Sequence, residues 1–141
     1  MFKPNRLTFD QGLERIKKAY EKRGYSYPTK IVSSQDKAMK QLTADLEVDN
    51  VPEGFKKVQF PVFMEKPSQL FYSVGAPDTK VKRHSHDEGD GFRLIVGGSI
   101  IYKDQELKEG DWMFIPAGEP YEFDVGPSGA MICYCYCCCC A

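Results

Sequence analysis

The chain uses histidine only twice, at His84 and His86, within Val81-Lys-Arg-His-Ser-His-Asp-Glu-Gly-Asp90. Neutral imidazole is a common metal ligand. On an extended strand, side chains two residues apart point to one face, so both rings can converge on a single cation. Three carboxylates follow at once: Asp87, Glu88 and Asp90. The plainer reading is a solvated histidine pair with the acids as counter-charges.

A second segment, Gly110-Asp-Trp-Met-Phe-Ile-Pro116-Ala-Gly118-Glu-Pro-Tyr121, lies downstream. Trp112, Phe114 and Ile115 read as core, and Pro116-Ala-Gly118 reads as a turn that uses both special residues. Between the two segments Arg93 interrupts an apolar run, Phe92 to Val96. It either points inward, where a guanidinium fork suits a substrate carboxylate, or outward into solvent.

In order and separation the two segments resemble the two motifs of the cupin superfamily, over roughly residues 58 to 136. The resemblance implies a double-stranded β-helix, or jelly roll. It implies a mononuclear metal held by His84, His86 and Asp90, with Glu88 as the competing carboxylate because it has the same strand parity. Two histidines and one carboxylate leave positions open on a metal. The implied metal is a divalent transition ion, iron first, with zinc, manganese, nickel or copper as alternatives. The implied activity is an iron-dependent dioxygenase, an oxidoreductase acting on a small molecule. Tyr121 stands where the second motif usually carries a histidine. A phenol can ligate as phenolate, donate a hydrogen bond to a bound group, or merely pack. Tyr121, Arg93 and Glu119 are the candidates for orienting a ligand. Small cupins often pair through sheet edges, which implies a homodimer.

The elements that must position these residues follow from periodicity. Thr8-Phe-Asp-Gln11 reads as a capping box, with Leu13, Ile16 and Tyr20 at helical spacing and Gly24 as the stop. A second helix is expected from Ser33 or Ser34 to about Leu46, with Met39, Leu42 and Leu46 inward. The turn Asp49 to Gly54 marks the change from helical to strand period. The expected division is a helical segment, 1–52, packing on a β-barrel domain, 53–136, followed by a tail, 137–141. Strands are expected at Lys57–Glu65, Gln69–Val74, Lys80–His86, Phe92–Val96, Ser99–Tyr102, Asp111–Ile115, Tyr121–Val125 and Ala130–Tyr136. Turns are expected at Gly97-Gly98, Lys103-Asp104-Gln105, Glu109-Gly110 and Pro127-Ser128-Gly129. The fold class is mainly β with two N-terminal helices.

With 19 basic and 20 acidic residues the chain carries no nucleic-acid or membrane-surface signature. No apolar run approaches the roughly 20 residues that span a bilayer. The first residues lack the apolar stretch of a secretory signal, so a cytoplasmic protein is the expectation.

All six cysteines fall at the end: Cys133, Cys135 and Cys137 through Cys140. Such clustering cannot staple a fold as a disulfide framework does. Cys133 and Cys135 fit a final strand as small apolar side chains. The cysteine-rich tail suits soft-metal capture, redox chemistry or modification. Three functions therefore stand: a metal-binding cupin with possible oxygenase activity, a non-enzymatic small-molecule binding or sensing module, and a carrier or precursor whose tail is the working part.

Overall fold

The computed structural model describes residues 7–136. They fall into two compact units, 7–27 with 36–63, and 28–35 with 64–136. The first unit therefore extends past the expected boundary near Pro52.

Two helices, α1 (Phe9–Arg23) and α2 (Lys37–Asp45), build the first unit. The capping box is formed as read: Thr8 Oγ1 accepts from the Gln11 amide, and Gln11 Oε1 accepts from the Thr8 amide. Gly24 ends α1 at φ 67°, a left-handed conformation that glycine adopts without a Cβ clash. Ile16, Tyr20, Met39, Leu42 and Leu46 are buried. Arg23 pairs with Asp45, whose carboxyl is held below the usual carboxylate range by that hydrogen bond.

Two expectations fail here. Helix α2 starts at Lys37, not at Ser33 or Ser34. Those serines belong to the other unit. Ser33 lies in β1 (Val32–Ser33), and Ser34 Oγ donates to Asp111 Oδ1 and accepts from the Trp112 amide. The strand expected at Lys57–Glu65 is also absent; only Val58 bridges, to Glu47. Pro61 has no N–H for a ladder. The backbone there turns to side chains instead: Pro61 O accepts from Tyr20 Oη, and the Phe63 amide donates to Tyr27 Oη.

The second unit is a seven-stranded antiparallel sheet. Besides β1 it contains β2 (Gln69–Gly75), β3 (Lys80–His84), β4 (Gly91–Tyr102), β5 (Gln105–Lys108), β6 (Trp112–Ile115) and β7 (Tyr121–Tyr136). The order is β1-β6-β4-β7-β2, with β3 on β7 and β5 on β4. Its axis is a ribbon of two long strands, β4 and β7, paired from Phe92–Cys135 to Ile101–Asp124. The expected turns at Gly97-Gly98 and Pro127–Gly129 are not chain reversals. They are register shifts inside this ribbon, where extra residues bend it. Gly98 (φ 64°) admits the bend: a Cβ there would lie 2.0 Å from Gly129 O. Strand β5 escaped the sequence reading because Leu107 is its only apolar residue. It joins β4 through Lys103 and Asp104, both at positive φ, as in a tight hairpin turn.

The bend lets one face of the ribbon line a core of Ile95, Ile100, Leu107, Met113, Ile115, Phe123, Val125 and Ile132. The architecture is mainly β, a coiled antiparallel ribbon of the double-stranded β-helix type, with two helices ahead of it in the chain. Cys133 and Cys135 lie on the outer face, opposite Tyr72 and Leu70. Burial pushes the Cys135 thiol up. Cys137 to Cys140 lie outside the described residues. Among the described residues, no helix is long and apolar enough to cross a membrane.

Candidate functional site

The site forms around the hydroxyl of Tyr121, the first residue of β7. His84, the last residue of β3, is directly opposite Tyr121 in the ladder, so their side chains share a face. Strand β3 stops there, two residues short of the expected His86. His86 is held instead by the loop after Pro116: its carbonyl accepts from the Gly118 amide at 2.8 Å. Gly118 sits at φ 78°, and Glu119 N donates to Pro116 O, so the expected turn is present.

Four polar groups meet the Tyr121 oxygen. They are His84 Nε2 at 3.0 Å, His86 Nε2 at 3.3 Å, Arg93 Nη2 at 2.7 Å and Tyr136 Oη at 2.8 Å. Proton assignment follows from chemistry. His84 Nδ1 lies 2.7 Å from the Lys82 carbonyl, which can only accept, so Nδ1 carries the proton. With Nε2 unprotonated, His84 accepts there, and the Tyr121 hydroxyl donates to it. Arg93 and the Tyr136 hydroxyl donate to the two lone pairs of Tyr121. A neutral phenol has no further capacity. His86 Nε2, the longest of the four contacts, is the group in excess.

The surroundings are buried. Tyr121 is 1% exposed, Tyr136 2%, Arg93 6% and His86 8%, whereas His84 is half-buried. Desolvation, helped by neighbouring His84 and Arg93, holds the His86 imidazole below its usual range despite Glu88 and Asp87. Burial pushes the Tyr136 phenol well up. Tyr136 comes this close because Gly91 has no side chain: a Cβ there would be 2.3 Å from Tyr136 Cε1.

Arg93 points inward, which sets aside the outward reading. Its Cζ lies over the rings of Tyr134 (4.9 Å), Tyr121, Phe123 and Tyr136 (each 5.4 Å). The Asp90 carboxylate is occupied elsewhere: Oδ1 accepts from the Ala117 amide at 2.9 Å, tying the end of the His86 loop to the Pro116 turn. Glu119 pairs with Lys30. Glu88 is exposed, and its carbonyl accepts from Lys66 Nζ. Sequence reasoning missed Tyr136 as a site residue. Its inward parity with Ile132 and Tyr134 was the available signal.

The donor set does not fit a mononuclear metal centre. Two Nε2 atoms converge, but on a phenol oxygen that already serves Arg93. Among the described residues, no three His, Cys, Asp or Glu side chains are arranged to hold a metal. A guanidinium 2.7 Å from the shared oxygen adds positive charge where a cation would need negative charge.

No protein-family model and no curated protein matches the sequence. Solved structures do match. A Ralstonia eutropha protein of unknown function with a cupin-like fold shares 16% identity at TM-score 0.44, over 50% of this chain and 47% of its own. An uncharacterized Klebsiella pneumoniae protein with a double-stranded β-helix domain shares 19% at TM-score 0.45, over 52% and 66%. A salicylate 1,2-dioxygenase from Pseudaminobacter salicylatoxidans matches over 92% of this chain and 33% of its own, at 10% identity and TM-score 0.42. At these identities and TM-scores the likenesses bring no activity to this chain. This chain spans about half the length of the Ralstonia protein.

Proposed function

We propose that this is a cupin-like small-molecule binding protein whose site is the cluster of Tyr121, His84, His86, Arg93 and Tyr136. One observation carries the reading: the Tyr121 oxygen is surrounded by one polar group more than it can serve. A polar group left without a full partner in a buried site is costly, so a cluster built only for stability would not collect one. A ligand that accepts from one member completes the set. Half-buried His84 marks the side open to entry. The test is thermal melting of the full chain with a panel of small polar molecules, run on wild type and Tyr121→Phe. A rise in Tm that depends on Tyr121 is expected. A panel that leaves wild type unmoved sinks the reading.

A second reading, a metal-binding site with possible oxygenase activity, has the two convergent Nε2 atoms for it and the Arg93 guanidinium on the same oxygen against it. Elemental analysis tests it. Equal metal content in wild type and in His84→Ala/His86→Ala removes it.

A further inference from the structure

We propose that the ligand of this site is a monocarboxylate, selected by the in-plane edge of the Arg93 guanidinium. The inference rests on the small-molecule reading above and names its chemical class.

Three observations carry it. Arg93 is 6% exposed, yet none of the ion pairs among the described residues includes it. Its Nε is buried and makes no hydrogen bond among the described residues. Its charge lies over four aromatic rings, which attract a cation but accept no conventional hydrogen bond. The rings thus hold the charge in place and leave the in-plane donors to be answered. Among the described residues, Nη2 is answered by the Tyr121 oxygen at 2.7 Å.

A carboxylate matches the Nε–Nη2 edge with two parallel hydrogen bonds. Its single negative charge balances the single guanidinium. A phosphate monoester, at about −1.5 to −2, would bring more charge than this buried cation neutralises. Docking on that edge also relieves the crowding. Once Nη2 turns to the ligand, the Tyr121 oxygen is free to accept from His86 Nε2–H. One anion therefore resolves both irregularities of the cluster, the orphaned Nε and the surplus imidazole.

The test is melting of the full chain with acetate and benzoate against acetamide and benzamide, at constant ionic strength in sodium chloride. A carboxylate should raise Tm by about 5 °C near saturation, the scale set by ligand linkage for a domain of this size. Its amide should do nothing. Arg93→Met should abolish the response. Arg93→Lys, which keeps charge but loses the fork, should weaken it at least tenfold in apparent affinity. Inorganic phosphate should be weaker than either carboxylate. Equal shifts from acid and amide, a phosphate response above both carboxylates, or a response retained in Arg93→Met overturns the proposal. If either variant misfolds, the acid–amide contrast on wild type still decides. Amides or other neutral molecules that raise Tm through Tyr121 while carboxylates do not would sink the carboxylate and spare the binding reading. If nothing raises Tm, both fall.

Discussion

Tyr20 in the helical unit and Tyr121 in the sheet unit are both buried tyrosines, 4% and 1% exposed. Their hydroxyls are treated differently. Tyr20 donates to one dedicated acceptor, the Pro61 carbonyl at 2.7 Å, with Met39 Sδ at 3.9 Å behind it. Burial, reinforced by Tyr27, pushes its phenol well up, as suits a proton that stays on. Tyr121 faces two imidazoles, a guanidinium and a second phenol. The first hydroxyl is a structural bond that closes an otherwise irregular segment. The second is a junction whose donors outnumber its lone pairs. Burial alone therefore does not distinguish a core tyrosine from a site tyrosine; the balance of donors and acceptors does.

That contrast can be broken experimentally. The largest effect is expected at Tyr121→Phe, which deprives the charged Arg93 of its acceptor and His84 of its donor. A loss of about 3 kcal/mol in chemical denaturation is expected. A loss below that of Tyr20→Phe would mean that the junction is not held by this hydroxyl. Tyr20→Phe orphans only the Pro61 carbonyl and should cost about 1–2 kcal/mol, with ligand-induced shifts in Tm unchanged. Arg93→Met should be neutral or raise stability by about 1 kcal/mol without ligand, because an apolar side chain replaces a buried charge that has no ion-pair partner among the described residues. A marked loss would make Arg93 a structural cation instead.

The smallest effect concerns pH. His86 titrates below its ordinary value of 6.5 when folded, so the unfolded chain binds its proton more readily. Stability should therefore fall as pH drops below about 6.5, and level off once pH passes below the folded-state value. His86→Gln should flatten that part of the profile, measured as Tm against pH. An unchanged slope would show that other groups produce it.

Much of this was legible in the sequence where local rules act alone. Thr8, Gln11 and Gly24 bound α1 because caps are local chemistry. Met39, Leu42 and Leu46 point inward because helical period fixes a face. The alternation of Val58, Phe60 and Val62 misled because Pro61 removes a ladder donor and tyrosines from α1 and its connection take up the backbone. Gly97-Gly98 suggested a reversal, since a glycine pair alone does not distinguish a turn from a bulge. At the site, His84 and His86 were legible as convergent rings. Asp90 was not legible as a backbone acceptor, because the Ala117 amide it serves is distant in sequence. Arg93 reads from the sequence more readily as a solvated arginine; only the four rings from β7 explain its burial.

The bent ribbon of β4 and β7 has a consequence for assembly. Arg93 lies in the arm where β4 meets Cys133 to Cys135, and Tyr121 in the arm beyond the bend, where β7 meets β3. Neither arm alone carries the cluster, so it comes into being only when the ribbon closes. Whatever binds there is linked to closure of the whole ribbon and should slow amide exchange in both arms together. The junction at Tyr121 then serves as a clasp, and its occupant sets how often the clasp opens.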